Sequence, residues 1–350
     1  MNIKITKLPN SEIEIEGELE SEIFETYFSK ALKKIGETLK LDGFRPGKIP
    51  EGVLLSKVPE ISILEEMAEM ALAENYPKII ADEKIDAISR PEISITKLAR
   101  KNPLGFKIKT AVLPEIKLPD YKNIAKKVIE EITAAEKNII VTDEDLENTI
   151  MDIRKSRAPK VNMAEHEHKE GEIHPEPELP EFNDAFVQAL GPFKDIADFK
   201  EKLKENIKLE KENHQKEITR LKIIEKIIEK SEMELPEILV EIELDKILYR
   251  MESDITQMGL KFEDYLKHLN KTRDDLRKEF RTDAQMKAKL ALILNEIAKV
   301  EKIIADPEQV AQEVTAILEQ YKDADPERAQ MHAENVLTNE KIFQFLESQK

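Results

Sequence analysis

The chain has 350 residues, a formal net charge of −17, 36% charged and 40% hydrophobic residues, and no Cys or Trp. That length supports two or three domains, and the composition suits long charged helices rather than a sheet enzyme with an aromatic-lined pocket. The missing cysteines exclude disulfides, thiol nucleophiles and cysteine-ligated zinc, while the acidic balance argues against general nucleic-acid binding.

Glu12-Ile13-Glu14-Ile15-Glu16 alternates strictly and is followed by Leu19; with Ile3, Ile5 and Leu8 before it, this predicts an antiparallel hairpin with one buried face. Ser21 is expected to cap a helix carrying Phe24, Phe28, Leu32, Ile35 and Leu39 at three- and four-residue spacing. Residues 42–50 then place Phe44 and Arg45 between Gly43 and Gly47, beside Pro46 and before Lys48. Glycine and proline make a stiff protruding loop, and an apolar ring beside a guanidinium at its tip suits a partner surface with negative charge. From residue 29 to 58 seven basic residues face three acidic ones, opposite in sign to the whole chain. A solvated helix face is the alternative reading of that excess.

Helices are predicted over 50–57 and about 60–76, the second with Ile61, Leu64, Ala68, Ala71 and Leu72 on one face. Glu92-Ile93-Ser94-Ile95-Thr96 and Phe106-Lys107-Ile108-Lys109 read as strands, the latter after a turn at Asn102-Pro103-Leu104-Gly105. Strands at both ends with helices between predict an α+β N-terminal domain: an antiparallel sheet with a projecting helix-loop-helix.

From Pro114 the character changes, and an extended segment is expected around 128–141. Thr142-Asp143-Glu144-Asp145 starts a helix in the capping-box manner, with Leu146, Ile150 and Ile153 behind it. Residues 158–180 hold four prolines, several Glu, and His166, His168 and His174, which reads as an acidic polar linker. Metal binding by those histidines is disfavoured because the stretch lacks a scaffold. A long charged helix follows over 195–230, with Phe199, Leu203, Ile207, Ile218, Leu221 and Ile228 as its apolar positions and a polar middle. Pro236 opens another through Ile238, Ile242, Leu248 and Met251, ended by Gly259. Further helices are expected over 262–269, 272–300, 306–321 and 325–347, giving a mainly α-helical, multi-arm C-terminal domain.

Taken together, these residues resemble the trigger factor family. Gly43-Phe44-Arg45-Pro46-Gly47-Lys48-Ile49-Pro50 is similar to the family's ribosome-binding signature. Leu179-Pro180-Glu181-Phe182-Asn183-Asp184 is similar to its re-entry into the helical body, and Leu235-Pro236-Glu237, Met258-Gly259-Leu260 and Leu276-Arg277-Lys278-Glu279-Phe280 to that body itself. The resemblance covers most of the chain in the right order. Two departures stand out. Some members carry a basic residue where this chain has Pro46, which weakens attraction to phosphate but stiffens the turn. The family's FKBP-type peptidyl-prolyl isomerase domain falls between the helix ending near Arg157 and the re-entry segment, and the interval here is too short for it and has no aromatic residue.

The resemblance implies an ATP-independent, ribosome-associated chaperone that holds nascent polypeptides at the tunnel exit and assists their folding, without enzymatic activity. It implies a ribosome-binding domain over 1–113, a connector and first part of the helical domain over 114–157, a polar linker over 158–180 in place of the isomerase, and a substrate-binding chaperone domain over 181–350. Gly43, Phe44, Arg45, Pro46, Gly47 and Lys48 are its expected ribosome contacts. Its expected partners are the large ribosomal subunit, protein and rRNA, and unfolded chains. Met251, Met258, Met286 and Met331 are candidates for adaptable client contacts, with core filling as the alternative. No cofactor, metal, catalytic residue or membrane is expected, and homodimerisation away from the ribosome stays open. The N-terminus has no apolar h-region and no run approaches about 18 apolar residues, so a cytoplasmic location is expected. A helical ribosome-docking adaptor without nascent-chain holding is the alternative function.

Overall fold

The computed structural model describes residues 2–42, 44, 47–132, 139–158 and 179–349. In chain order the elements begin with strands β1 (Asn2–Leu8) and β2 (Glu12–Leu19) and helices α1 (Ser21–Glu25), α2 (Phe28–Thr38), α3 (Glu51–Lys57) and α4 (Glu60–Asp82). Strands β3 (Glu92–Lys97) and β4 (Leu104–Ala111) follow, then helices α5 (Tyr121–Glu131), α6 (Asp143–Arg157), α7 (Asp184–Leu190) and α8 (Ile196–Lys230). The remaining helices are α9 (Glu237–Gln257), α10 (Phe262–His268), α11 (Arg273–Glu279), α12 (Arg281–Glu301), α13 (Pro307–Gln320) and α14 (Pro326–Glu347). Two compact units emerge, each built from two chain segments: Met1–Leu118 with Lys230–Lys302, and Pro119–Glu229 with Ile303–Lys350.

In the first unit the strands form one antiparallel sheet in the order β1-β2-β4-β3. Alternation sets its two faces. Ile13, Ile15 and Leu19 point inward, with Ile15 opposite Ile108 and Leu19 opposite Leu104. Their neighbours Glu12, Glu14 and Glu16 point outward and meet Lys109 and Lys107 across the ladder. Helix α4 covers the inner face with Leu64, Met67, Ala68, Ala71 and Leu72. It runs six residues beyond the predicted end and through Pro77, because Ile79, 1% exposed, fastens its last turns to the core. Ile61 is exposed and Ile63 takes its core place.

The helix predicted from Ser21 is two helices. Ser21 is the first residue of α1, with Glu20 at the cap position, and the chain turns at Thr26 and Tyr27. Thr26 Oγ1 donates to the Ile23 carbonyl at 2.6 Å, closing α1, while the Tyr27 hydroxyl bonds Glu74 on α4.

Helices α9–α12 belong to the same unit. Leu248, Ile255, Phe262 and Leu276 form one small core, and Val240, Leu244 and Ala284 another. Outside these cores, Arg277 pairs with Glu241 and Asp245, and Arg281 with Glu237 and Glu241. The helix predicted over 272–300 is broken at Phe280, whose ring packs against both cores. Ile242 is exposed because Val240 and Leu244 occupy the inward positions. This lobe meets the sheet region through the Ser11 hydroxyl, which donates to the Glu234 carbonyl at 2.7 Å, and through reciprocal backbone bonds of 3.0 and 3.2 Å between Lys117 and Glu232.

In the second unit, α5 takes residues 128–131 of the segment expected to be extended, and residues 133–138 of that segment lie outside the described residues. Asp120 caps it by accepting from the Asn123 amide at 3.1 Å, and Ile124, Ala125 and Val128 are buried. The Thr142–Asp145 capping box forms as predicted, with Thr142 Oγ1 accepting from the Asp145 amide and the Asp145 carboxylate accepting from the Thr142 amide. Lys211, bonded to the same carboxylate at 2.6 Å, is the largest cause that lowers the Asp145 pKa to about 2; the Thr142 bonds follow. Phe182, Phe186, Phe193 and Phe199 pack edge to face around Val187 and Ile150. On α8, Leu221 is exposed and Ile223, Ile224 and Ile227 supply the core. The linker residues 159–178, with His166, His168 and His174, lie outside the described residues.

Arg220 on α8 ties down α14. It donates to both oxygens of Glu340 at 2.7 and 2.8 Å and to both of Glu347 at 2.7 and 3.2 Å, while its plane lies over Phe343. This fork-to-carboxylate geometry is the strong form of an ion pair. Arg220→Ala is expected to destabilise the protein by about 1–2 kcal/mol in urea unfolding at neutral pH, after allowance for solvent at Glu340. The Arg220 hydrogen bond is the largest cause holding the Glu340 carboxyl below the usual range. The associated stability is therefore complete above the ordinary glutamate pKa and lost as pH falls through the lowered one. The gap between wild type and variant should close over that acidic interval and be flat above it.

Candidate functional site

Helix α2 ends at Thr38, and Leu39 turns extended while its amide still reaches the Ile35 carbonyl at 2.8 Å. The Phe44 amide then donates to the Leu41 carbonyl at 3.1 Å, which closes a tight turn. On the returning side, the Gly47 amide donates to the Gly36 carbonyl at 2.8 Å. That carbonyl is among the last four of α2, which have no partner inside the helix, so the loop satisfies an acceptor that would otherwise need water. Gly47 makes this bond at φ +78, the left-handed region that glycine enters without cost.

The base of the loop is held by packing. Ile49 is buried, Pro50 stands at the N-cap position of α3 without a side-chain capping bond, and Leu54 is buried against Gly36. A Cβ on Gly36 would lie 2.9 Å from Leu54 Cδ1, so a glycine lets α3 close on α2. Leu39, Leu41, Val53 and Val58 pack on the main core around it. The tip stays in solvent: Phe44 is 40% exposed, and Asp42, Gly47 and Lys48 are exposed. Lys34, further back on α2, is held by Glu66 at 2.5 Å, and that hydrogen bond is the first cause raising its pKa. Lys33, Lys40, Lys48 and Lys57 have no ion-pair partner among the described residues.

Of the six residues expected to form the site, Phe44, Gly47 and Lys48 are placed together at this tip. Gly43, Arg45 and Pro46 lie outside the described residues. Sequence reasoning missed the supports Gly36, Ile49 and Leu54. Gly36 carried a signal, since a lone glycine in a helical pattern usually has a packing reason. Of the candidate methionines, Met251 packs into the small core with Leu248, whereas Met258 and Met331 are largely exposed.

The family models decide the kinship. Residues 1–153 match the bacterial trigger factor protein model, and residues 195–349 match the bacterial trigger factor C-terminus model. The chain belongs to the trigger factor family. The trigger factor of Caldicellulosiruptor bescii is 26% identical over 396 residues, covering 92% of this chain and 89% of the relative. That of Bacillus subtilis is 25% identical over 398 residues, covering 92% of each. A solved structure of a trigger factor chaperone, described in terms of promiscuous substrate recognition in folding and assembly, aligns over 100% of both chains with a TM-score of 0.55 at 17% identity, so the fold is shared.

Between its two matched segments this member of the trigger factor family has no room for an isomerase domain. The two matched segments leave only residues 154–194 between them, too few for a domain of roughly 100 residues. The alignments, 396 and 398 residues long, exceed the 350 residues of this chain, so the relatives carry inserted sequence that it lacks. The matched domains are chaperone domains. Among the described residues no helix is long and apolar enough to cross a membrane.

Forcing a Cβ into the left-handed region at residue 47 strains the loop where it is stapled. Gly47→Ala is expected to cost about 1–2 kcal/mol in urea unfolding. Gly47→Asn should cost less, because asparagine tolerates that backbone conformation.

Proposed function

We propose that this trigger factor family member is an ATP-independent chaperone that docks on the large ribosomal subunit at the tunnel exit and holds nascent chains there. The observation that carries the reading is Phe44, a large apolar ring left in solvent on a loop whose base is tied by hydrogen bonding and packing. Phe44 enters an apolar recess of the ribosome, and Arg45 pairs with a carboxylate or an rRNA phosphate. Gly43 and Gly47 supply backbone freedom, Pro46 stiffens the turn, and Lys48 adds positive charge.

In this reading residues 1–113 are the ribosome-binding domain, 114–157 a connector and first helical part, 158–180 a polar linker, and 181–350 the chaperone domain. Exposed apolar side chains on the helices and in the turn after α9 support client holding: Tyr249, Met258 and Leu260 in one unit, Leu209 and Met331 in the other. Scattered over charged helices, they offer weak contacts at many points without one large sticky patch. The protein works in the cytoplasm, without cofactor or catalysis.

The double change Phe44→Ala with Arg45→Ala is expected to lower ribosome affinity by about tenfold or more in co-sedimentation. The same variant should still delay aggregation of an unfolding client, because the holding surface is elsewhere. Intact co-sedimentation would remove the docking assignment. Proline-peptide isomerisation should stay at background. Cross-links from stalled nascent chains to the helical body separate this reading from a docking adaptor, which would give none.

A further inference from the structure

We propose that Ser11 and the backbone clip beside it form a latch, which opens to let the α9–α12 lobe swing as one body against the sheet while both stay folded. The β1–β2 hairpin turns through Pro9, Asn10 and Ser11, with Leu8 paired to Glu12. Asn10 sits at φ +60 and Ser11 at φ +53, both in the left-handed region. Short hairpins fill such positions with glycine, asparagine or aspartate, and serine there bears strain that those residues largely escape. The turn itself therefore does not call for serine at position 11. Its side chain reaches outside the turn. The hydroxyl donates to the Glu234 carbonyl at 2.7 Å, and the Ser11 amide lies 3.5 Å from the Glu234 carboxylate. Local strain offset by one distant bond marks a place where that bond matters.

The rest of the contact is polar and wet. Lys117, in the passage that leaves β4, and Glu232, in the passage that leads into α9, face each other in an antiparallel bridge. They exchange both backbone bonds, and their side chains pair at 3.0 Å while remaining 77 and 76% exposed. The apolar cluster over the sheet draws its members from residues 3–112, and the two lobe clusters draw theirs from residues 235–284. No member of either lobe cluster thus comes from the sheet region. Exposed hydrogen bonds and ion pairs exchange readily for bonds to water, whereas parting a packed core exposes apolar area. Each side also keeps its own supports. The lobe has its two cores and the ion pairs of Arg277 and Arg281, and the sheet has α4. Opening the latch therefore costs far less than unfolding either side, which is the condition for a sub-global motion. Tyr249, Met258 and Leu260 all belong to the lobe and travel with it, so the latch sets how far these exposed groups stand from the sheet.

Hydrogen exchange at single amides and a spin-label distance, both in the whole chain, test the latch. The amides of Lys117 and Glu232 should exchange about a hundredfold faster than those of Ile15 and Leu248, at rates that low urea barely changes. Ser11→Gly relieves the strain and removes the hydroxyl. It should leave the Tm unchanged or higher, yet speed exchange at Lys117 and Glu232 by about fivefold. With nitroxides on Glu92→Cys of β3 and Tyr249→Cys of α9, double electron–electron resonance should give a broader distance distribution in Ser11→Gly than with Ser11 in place. Lys117→Cys with Glu232→Cys should form a disulfide in a chain that has no other cysteine and, once oxidised, slow exchange at both positions by about tenfold. Exchange at Lys117 and Glu232 as slow as at Leu248, or unchanged by Ser11→Gly, overturns the latch. So does a Tm that falls in step with faster exchange, which would make Ser11 a structural support alone. Faster exchange with an unaltered distance distribution means that only the clip frays, and it overturns the swing.

Discussion

The hydrogen bond from the Gly47 amide to the Gly36 carbonyl is the constraint on which the loop between α2 and α3 depends. Gly36 serves twice there. Its carbonyl, orphaned at the end of α2, receives the returning strand of the loop, and its missing side chain admits Leu54 of α3. The pair converts a long connection between two helices into a loop with a fixed base and an exposed tip. Ordering the loop before binding lowers the entropy lost when a partner is met. A flexible loop carrying the same Phe44 and Lys48 would bind more weakly for that reason alone.

Charge does different work in the two regions of the chain. On the helical elements, Arg220, Arg277 and Arg281 each engage two carboxylates, holding helix to helix at positions too wet for a hydrophobic core. This lets the helices keep exposed apolar residues such as Tyr249 and Met331 without a large core behind them. The net charge of −17 keeps such a surface soluble. Around the loop tip several lysines instead remain without a carboxylate partner among the described residues.

Much of this was legible from pattern. Strict alternation fixed β2 and its buried face, and Thr142 and Asp145 announced the start of α6 by their spacing. The misses have physical causes. Helix α5 was hidden because Leu118-Pro119 looked like an interruption, whereas Asp120 just after it is a cap. The breaks at Thr26-Tyr27 and Phe280 lie inside continuous helical periodicity, where side-chain bonding or packing decides and spacing cannot. Ile61, Leu221 and Ile242 were placed inside because each lies near a helical stripe whose true centre is one or two residues away. For the site, the exposed tip was readable from Gly, Phe and Lys in sequence. Its bracing was not, since it depends on a contact between Gly36 and residues eleven and eighteen positions later.

Hydrogen exchange resolved to single amides, with and without large ribosomal subunits, tests the central claim most directly. The account predicts that the Gly47 amide is already protected in the free protein, like the last turn of α2, and that residues 42–48 slow further when subunits are added. Exchange at Gly47 as fast as in an unstructured chain, or binding that leaves residues 42–48 unchanged, would contradict it.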